Sequence, residues 1–197
     1  PNIVGIDNPK VLSYIDVLTG KKSVGARVAI IGAGGIGFDV AEFLTAEPYF
    51  SREDFYDEWG IDIHGECRGG IKTPIQPVTT REVYLLQRKQ EKMGKRLGKT
   101  TGWIHRLSLK HKQVRMLSGV HYRHIDDEGL HIRINDQEQV LIVDTIVICA
   151  GQEELIDLLS PLKEQGKAVH LIGGAYRALE LDARRAMDQA CRLAALV

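Results

Sequence analysis

Apolar residues along this chain fall into short runs whose spacing changes from continuous to helical to alternating, and each change predicts an element. The run Arg27-Val28-Ala29-Ile30-Ile31 reads as a strand buried on both faces. A glycine turn follows, and then Phe38, Val40, Ala41, Phe43 and Leu44 recur at helical spacing. Residues 82–87 predict a second parallel strand, 103–112 a helix and 114–117 a further strand. Residues 120–125 and 130–134 alternate around Asp126-Asp127-Glu128-Gly129, a hairpin signature with Gly129 at the position that needs positive φ. Residues 140–143 extend this into a meander, and 145–149 form one last buried strand. Upstream, 11–18 predict a short helix leading through a basic, glycine-containing link into the first strand.

Periodicity lapses twice. Between 47 and 80, Pro48, Gly60, Gly65, Gly69, Gly70, Pro74 and Pro77 interrupt a polar stretch too long for an ordinary loop. Its aromatics Phe50, Phe55, Tyr56 and Trp59 predict that this insertion packs on something. After Gly151 a polar stretch leads to a predicted strand at 168–172, closed by Gly173-Gly174, and to an amphipathic helix over 179–196. One strand and one helix cannot build a core, so this piece is expected to complete another sheet. The expected fold class is α/β. A Rossmann-like parallel sheet carries an antiparallel meander, in the order seen in two-dinucleotide flavoproteins, and a C-terminal strand and helix belong to an adjoining domain.

Composition narrows the function. The 197 residues are 44% hydrophobic with 26 basic and 26 acidic side chains, as in a soluble globular protein. Zero net charge and no basic stripe argue against nucleic acid as a partner. No apolar run approaches the roughly 20 residues that cross a bilayer, no leader opens the chain, and a cytoplasmic location without a membrane partner is expected. The start at Pro1, followed by linker-like sequence, suggests a segment of a larger protein. Cys67, Cys149 and Cys191 form no CxxC pair, and Cys149 reads as a small core residue. His121, His124 and His131 lie on strands whose successive residues face opposite sides, so without special pairing they do not converge on a metal. His64, Glu66 and Cys67 lack a fourth ligand. No metal site is expected.

Candidate chemistry centres on Gly32-Ala33-Gly34-Gly35-Ile36-Gly37, set between the first strand and its helix. Gly32 suits the tight turn, Gly34 lets a pyrophosphate approach the backbone, and Gly37 lets helix and strand pack closely. The phosphates would then meet free helix N–H groups and the positive end of the dipole. Glu53 and Asp54 lie at the textual distance of a ribose-binding acid, but they belong to the insertion. The end of the second strand instead carries Arg88 and Lys89, two cations suited to a 2′-phosphate, which selects NADPH over NADH. Lys99, Thr100, Trp103, His105 and Arg106, around a glycine-flanked helix start, are candidates for further phosphate or ribose contacts or for packing. Ala150, Gly151 and Gln152 end the last strand where ligands bind in open α/β sheets, and are expected to line the nicotinamide pocket.

Gly5-Ile6-Asp7-Asn8-Pro9-Lys10-Val11-Leu12-Ser13-Tyr14, Glu58-Trp59-Gly60-Ile61-Asp62, Leu97-Gly98-Lys99-Thr100-Thr101-Gly102-Trp103-Ile104-His105-Arg106 and Val147-Ile148-Cys149-Ala150-Gly151-Gln152 together resemble the bacterial NADPH-dependent 2,4-dienoyl-CoA reductases. Leu171-Ile172-Gly173-Gly174 and Glu180-Leu181-Asp182-Ala183-Arg184-Arg185-Ala186 fit the same resemblance. It implies a larger enzyme in which electrons pass from NADPH to FAD, through an iron-sulfur cluster to FMN, and then to a dienoyl thioester of unsaturated fatty acid β-oxidation. Residues 1–24 would be a linker from the FAD domain, 25–152 the NADPH domain with the 47–80 insertion, and 153–197 the returning part of the FAD domain. Its partners are then NADPH and the rest of its own polypeptide, the FAD half-domain and FMN barrel. Gly173 and Gly174 would approach FAD, although Tyr176 stands where an acidic residue is common. The resemblance assigns no catalytic residue to this segment. The alternatives are another flavin reductase's NAD(P)H domain and a degenerate module holding ADP, as in related amine dehydrogenases.

Overall fold

The computed structural model describes residues 1–46, 51–179 and 182–196, so Pro48, Phe50, Glu180 and Leu181 of the reading above lie outside the described residues. By contacts the chain divides into Pro1–Ala150 and Gly151–Val197.

In the first unit, β1 (Val11–Ser13), β2 (Arg27–Ile31), β3 (Glu82–Leu86), β4 (Arg115–Leu117) and β8 (Thr145–Ile148) form a parallel sheet in the order β1-β8-β2-β3-β4. Four of the five β2 residues are buried, as its continuous apolar run requires for a central strand. Alternation divides them: Val28 and Ile30 join a core with Phe38, Val40 and Leu44 of α2 (Gly35–Leu44) and Leu109 of α4 (Gly102–His111). Ala29 and Ile31 face the other way, into a core closed by the antiparallel β5 (His121–Ile125), β6 (Leu130–Ile134) and β7 (Gln137–Leu141). Helices thus cover one face of the parallel sheet and the meander covers the other. No helix among the described residues is long and apolar enough to cross a membrane.

Several elements depart from the pattern. The predicted helix at 11–18 is split into β1 and α1 (Tyr14–Leu18), because the Ser13 hydroxyl accepts from Ile15 and Asp16 N–H and starts a helix directly after the strand. β7 begins earlier than 140, since Asn135 (φ 49°) and Asp136 (φ 62°) make a two-residue left-handed turn after β6. The insertion holds α3 (Arg52–Trp59), started by a Ser51–Asp54 capping box and ended at Gly60 with φ 63°. Its Trp59 stands edge-on to Trp103 and His111, with ring centroids 6.4 and 5.7 Å apart. The insertion is therefore seated on α4, as its aromatics suggested.

The meander brings a further correction. β5 and β6 pair Tyr122 with Ile132 and then His124 with His131, so Arg123 is an extra residue and the register shifts. The hairpin register that pairs Ile125 with Leu130 also sets His124 opposite His131, on the face away from the core, and parity along either strand alone does not reveal that pairing.

In the second unit, the predicted strand at 168–172 pairs with no strand among the described residues. A lone apolar segment has no ladder to join. Around it lie α5 (Leu159–Glu164), α6 (Gly173–Tyr176) and α7 (Ala183–Ala194), the last capped by Asp182 Oδ1, which accepts from Arg185 N–H at 2.7 Å. Leu155, Leu158, Leu179, Met187 and Leu196 of this unit are exposed.

Candidate functional site

The glycine turn sits where the chain order of the sheet reverses, since β3 and β4 lie to one side of β2 and β8 to the other. Its glycines fall into two groups. A side chain on Gly32, whose φ is +112°, would come within 2.9 Å of the Cys149 backbone and 3.0 Å of Ala150 Cβ, and one on Gly37 would strike the Gly32 carbonyl oxygen. These two let the turn and α2 close against the sheet. Gly34 and Gly35 are exposed, and a Cβ built on either meets nothing within 4 Å. The protein's own packing does not require glycine there.

Gly34 precedes α2 without a side-chain cap, and the first turn carries no acidic residue. The first N–H groups of a helix have no partner within it, and together with the dipole they favour an anion. Ala33 and Ile36 pack partly against the helix-side core and fix the turn from below. The residues present therefore fit a dinucleotide pyrophosphate.

Ile31 pairs with Leu86 in register, so Gly32 and Gln87 leave adjacent strands at the same level. Gln87 Nε2 donates to the carbonyls of Lys89 (2.9 Å) and Glu91 (3.0 Å), pinning the loop that presents Arg88 and Lys89, both exposed. Burial pushes up the phenol of Tyr122, and the positive charge of Arg88 acts against that shift, which sets the guanidinium near the meander. Sequence reasoning did not single out Gln87 as the residue that shapes this loop.

Arg106 makes a packing contact, the second of the two roles open to it. Its Nη1 donates to the Gly94 carbonyl at 3.1 Å, and Gly94 lies against the Phe38 ring, so this guanidinium braces a turn over α2. His105 Nδ1 lies 2.9 Å from Glu42 Oε1 and ties α4 to α2. Lys99 and Thr100 are exposed in the turn before α4, and Trp103 is the ring that Trp59 meets. Nothing in the sequence marked Glu42 as the partner of His105.

Ala150 ends the first unit beside Gly32. Gly151, with φ 85°, and Gln152 open the second. Within that second unit Gly173 begins α6 and does not close a strand, and its N–H donates to Gln189 Oε1 at 2.8 Å. Burial pushes the Cys149 thiol up to about 12, so it remains a neutral core residue, while Cys67 and Cys191 are exposed and free.

Residues 5–183 match the family described as pyridine nucleotide-disulphide oxidoreductase. A metal reductase of Desulforamulus reducens is 23% identical over 170 residues, 85% of this chain and 25% of that protein. A 2-naphthoyl-CoA reductase solved with 2-naphthoyl-CoA is similar at TM-score 0.68 and 20% identity, over 95% of this chain and 23% of the other. The 6-hydroxypseudooxynicotine amine oxidase of Pseudomonas geniculata is similar at TM-score 0.61 and 17% identity, over 88% of this chain and 23% of the other. At these identities the solved structures speak to the fold, and the chain spans about a quarter of the length of the relatives just named.

Proposed function

Because the chain belongs to the pyridine nucleotide-disulphide oxidoreductase family, whose members bind flavin and a nicotinamide nucleotide, we propose that it is the NADPH-binding portion of a multidomain flavoprotein oxidoreductase. The observation that carries this reading is the open backbone at Gly34 and Gly35 over the uncapped start of α2, beside a neighbouring strand end that presents Arg88 and Lys89. Main-chain N–H groups would hold the pyrophosphate, and Arg88 the 2′-phosphate through a forked, charge-assisted contact. A bound reduced nicotinamide supplies a hydride to the flavin. The chain's own residues supply position: Gly32 and Gly37 seat the turn, Gln87 fixes the cationic loop, and Arg106 braces the turn at Gly94.

The finer reading is a 2,4-dienoyl-CoA reductase, on the strength of the GKTTGWIHR string and the other matching segments. In it FAD, FMN and an iron-sulfur cluster belong largely to polypeptide beyond this chain. Residues 25–152 are the NADPH domain, 1–24 its entry, and 153–197 part of the FAD domain. The exposed leucines of the second unit support a role in docking on that remainder.

The test is the Arg88→Ala variant titrated with both coenzymes. It should weaken NADPH by about 1.5 to 3 kcal/mol, the range of hydrogen bonds to charged groups, and leave NADH nearly unchanged. Equal losses for the two would remove Arg88 from the 2′-phosphate.

A further inference from the structure

The β5–β6 hairpin assembles a group of side chains that the nucleotide site does not use. His124 and His131 stack with centroids 3.9 Å apart and planes 16° apart, and Asp126 reaches both: its Oδ2 lies 2.9 Å from His131 Nε2 and 3.4 Å from His124 Nε2. The three ligand atoms all lie within 4.8 Å of one another. Ligands on a tetrahedral ion with bonds of about 2.1 Å stand roughly 3.4 Å apart, so only a small contraction separates this group from a coordination shell.

The carboxylate is held for the purpose by its other oxygen. Asp126 Oδ1 accepts from Glu128 N–H at 2.9 Å and Gly129 N–H at 3.1 Å, which leaves Oδ2 aimed at the imidazoles, the kind of outer support that orients ligands in metal sites. His124 is fixed from behind by the backbone: it bridges to Val4, and Ile125 N–H donates to the Val4 carbonyl at 2.8 Å. His131 Nε2 is shielded from solvent, with Asp126 Oδ2 beside it at 2.9 Å.

Parallel rings send their lone pairs side by side, so one ring must swing for both to meet one ion. His124 is the ring with room, its side chain being 45% exposed against 19% for His131, and histidine χ2 is soft. The same exposure leaves space for water as a fourth ligand. Two imidazoles and one carboxylate suit a borderline divalent ion of the first transition row and are too nitrogen-rich for calcium or magnesium.

We propose that His124, Asp126 and His131 form a binding site for a divalent transition-metal ion, for which Zn²⁺ is the probe, on the outer face of the meander. The ion would clamp β5 to β6 and keep one exchangeable water. The proposal is independent of the nucleotide reading.

Calorimetric titration of the 197-residue chain with ZnCl₂ tests it, beside His124→Ala, His131→Ala and Asp126→Asn, with the exposed His121→Ala as control. One site should be present in the parent chain and in His121→Ala. Each of the other three should bind at least about tenfold more weakly, since loss of even an outer-shell partner costs that much. Imidazole nitrogen NMR of the unaltered chain provides a readout that needs no variant, and the Nε2 signals of His124 and His131 should move together on adding Zn²⁺. An isotherm that the three substitutions leave unchanged, or Nε2 signals that stay fixed while zinc binds, would overturn the site.

Discussion

At the residue scale the glycine turn separates two requirements that a motif merges into one. The Cβ position of Gly37 is filled by protein atoms, so the fold needs that glycine, while the position at Gly34 is open to the coenzyme proposed above. Gly34→Val should therefore fold and melt like the parent yet lose NADPH binding, whereas Gly37→Val should lower stability by about 1 to 3 kcal/mol or more through overpacking against the Gly32 carbonyl. Thermal melts with coenzyme titrations on both variants check this, and a Gly34→Val variant with full NADPH affinity would contradict the assignment. The packing roles of Gly32 and Gly37 were legible because spacing and the flanking strand and helix constrain them. The particular contact from Arg106 to the Gly94 carbonyl was not, since it depends on a fold-back that no local pattern encodes. The convergence of His124 with His131 was also hidden, because facing residues in a hairpin are set by the cross-strand register and not by parity along either strand.

At the scale of elements, β2, α2, β3, α4 and the β5–β6 hairpin all lie close to where periodicity placed them, since each carries a strong apolar face. The elements that escaped notice are polar or short. α3 reads Arg-Glu-Asp-Phe-Tyr-Asp-Glu-Trp, and its one clear signal was the Ser51–Asp54 capping box. Of β7 only the part from 140 on was read, because it opens on Gln-Glu-Gln. The predicted strand at 168–172 had the composition of a strand, but the described residues offer it no neighbour. Because Trp59 is the ring through which α3 meets Trp103 and His111, Trp59→Ala should release the insertion from α4. Limited proteolysis should then cut faster within 51–80 while NADPH affinity stays within about twofold, since no residue proposed to hold the coenzyme lies there. Unchanged cleavage would show that the aromatic contact does not seat the insertion.

For the molecule as a whole, carboxylates set the acid limit of stability. The Arg27 side chain and N–H both donate to Asp144, and Ser51 hydroxyl and N–H both donate to Asp54, so each carboxyl is held below its usual value. A lowered native pKa contributes stability that is present above the unfolded value of about 3.9 and is lost as pH falls through the lower native one. Melting temperature should hold from neutrality to about pH 5 and drop below about pH 4, and Asp144→Asn should flatten that drop. A parent chain whose melting point does not change across this interval would remove these contacts from the acid limit. The central claim concerns a coenzyme, and calorimetry with NADPH, NADH and ADP in parallel reaches it most directly. The account predicts binding of NADPH at one site, with NADH weaker by the contribution of the 2′-phosphate; tight ADP with no heat from NADPH would contradict it.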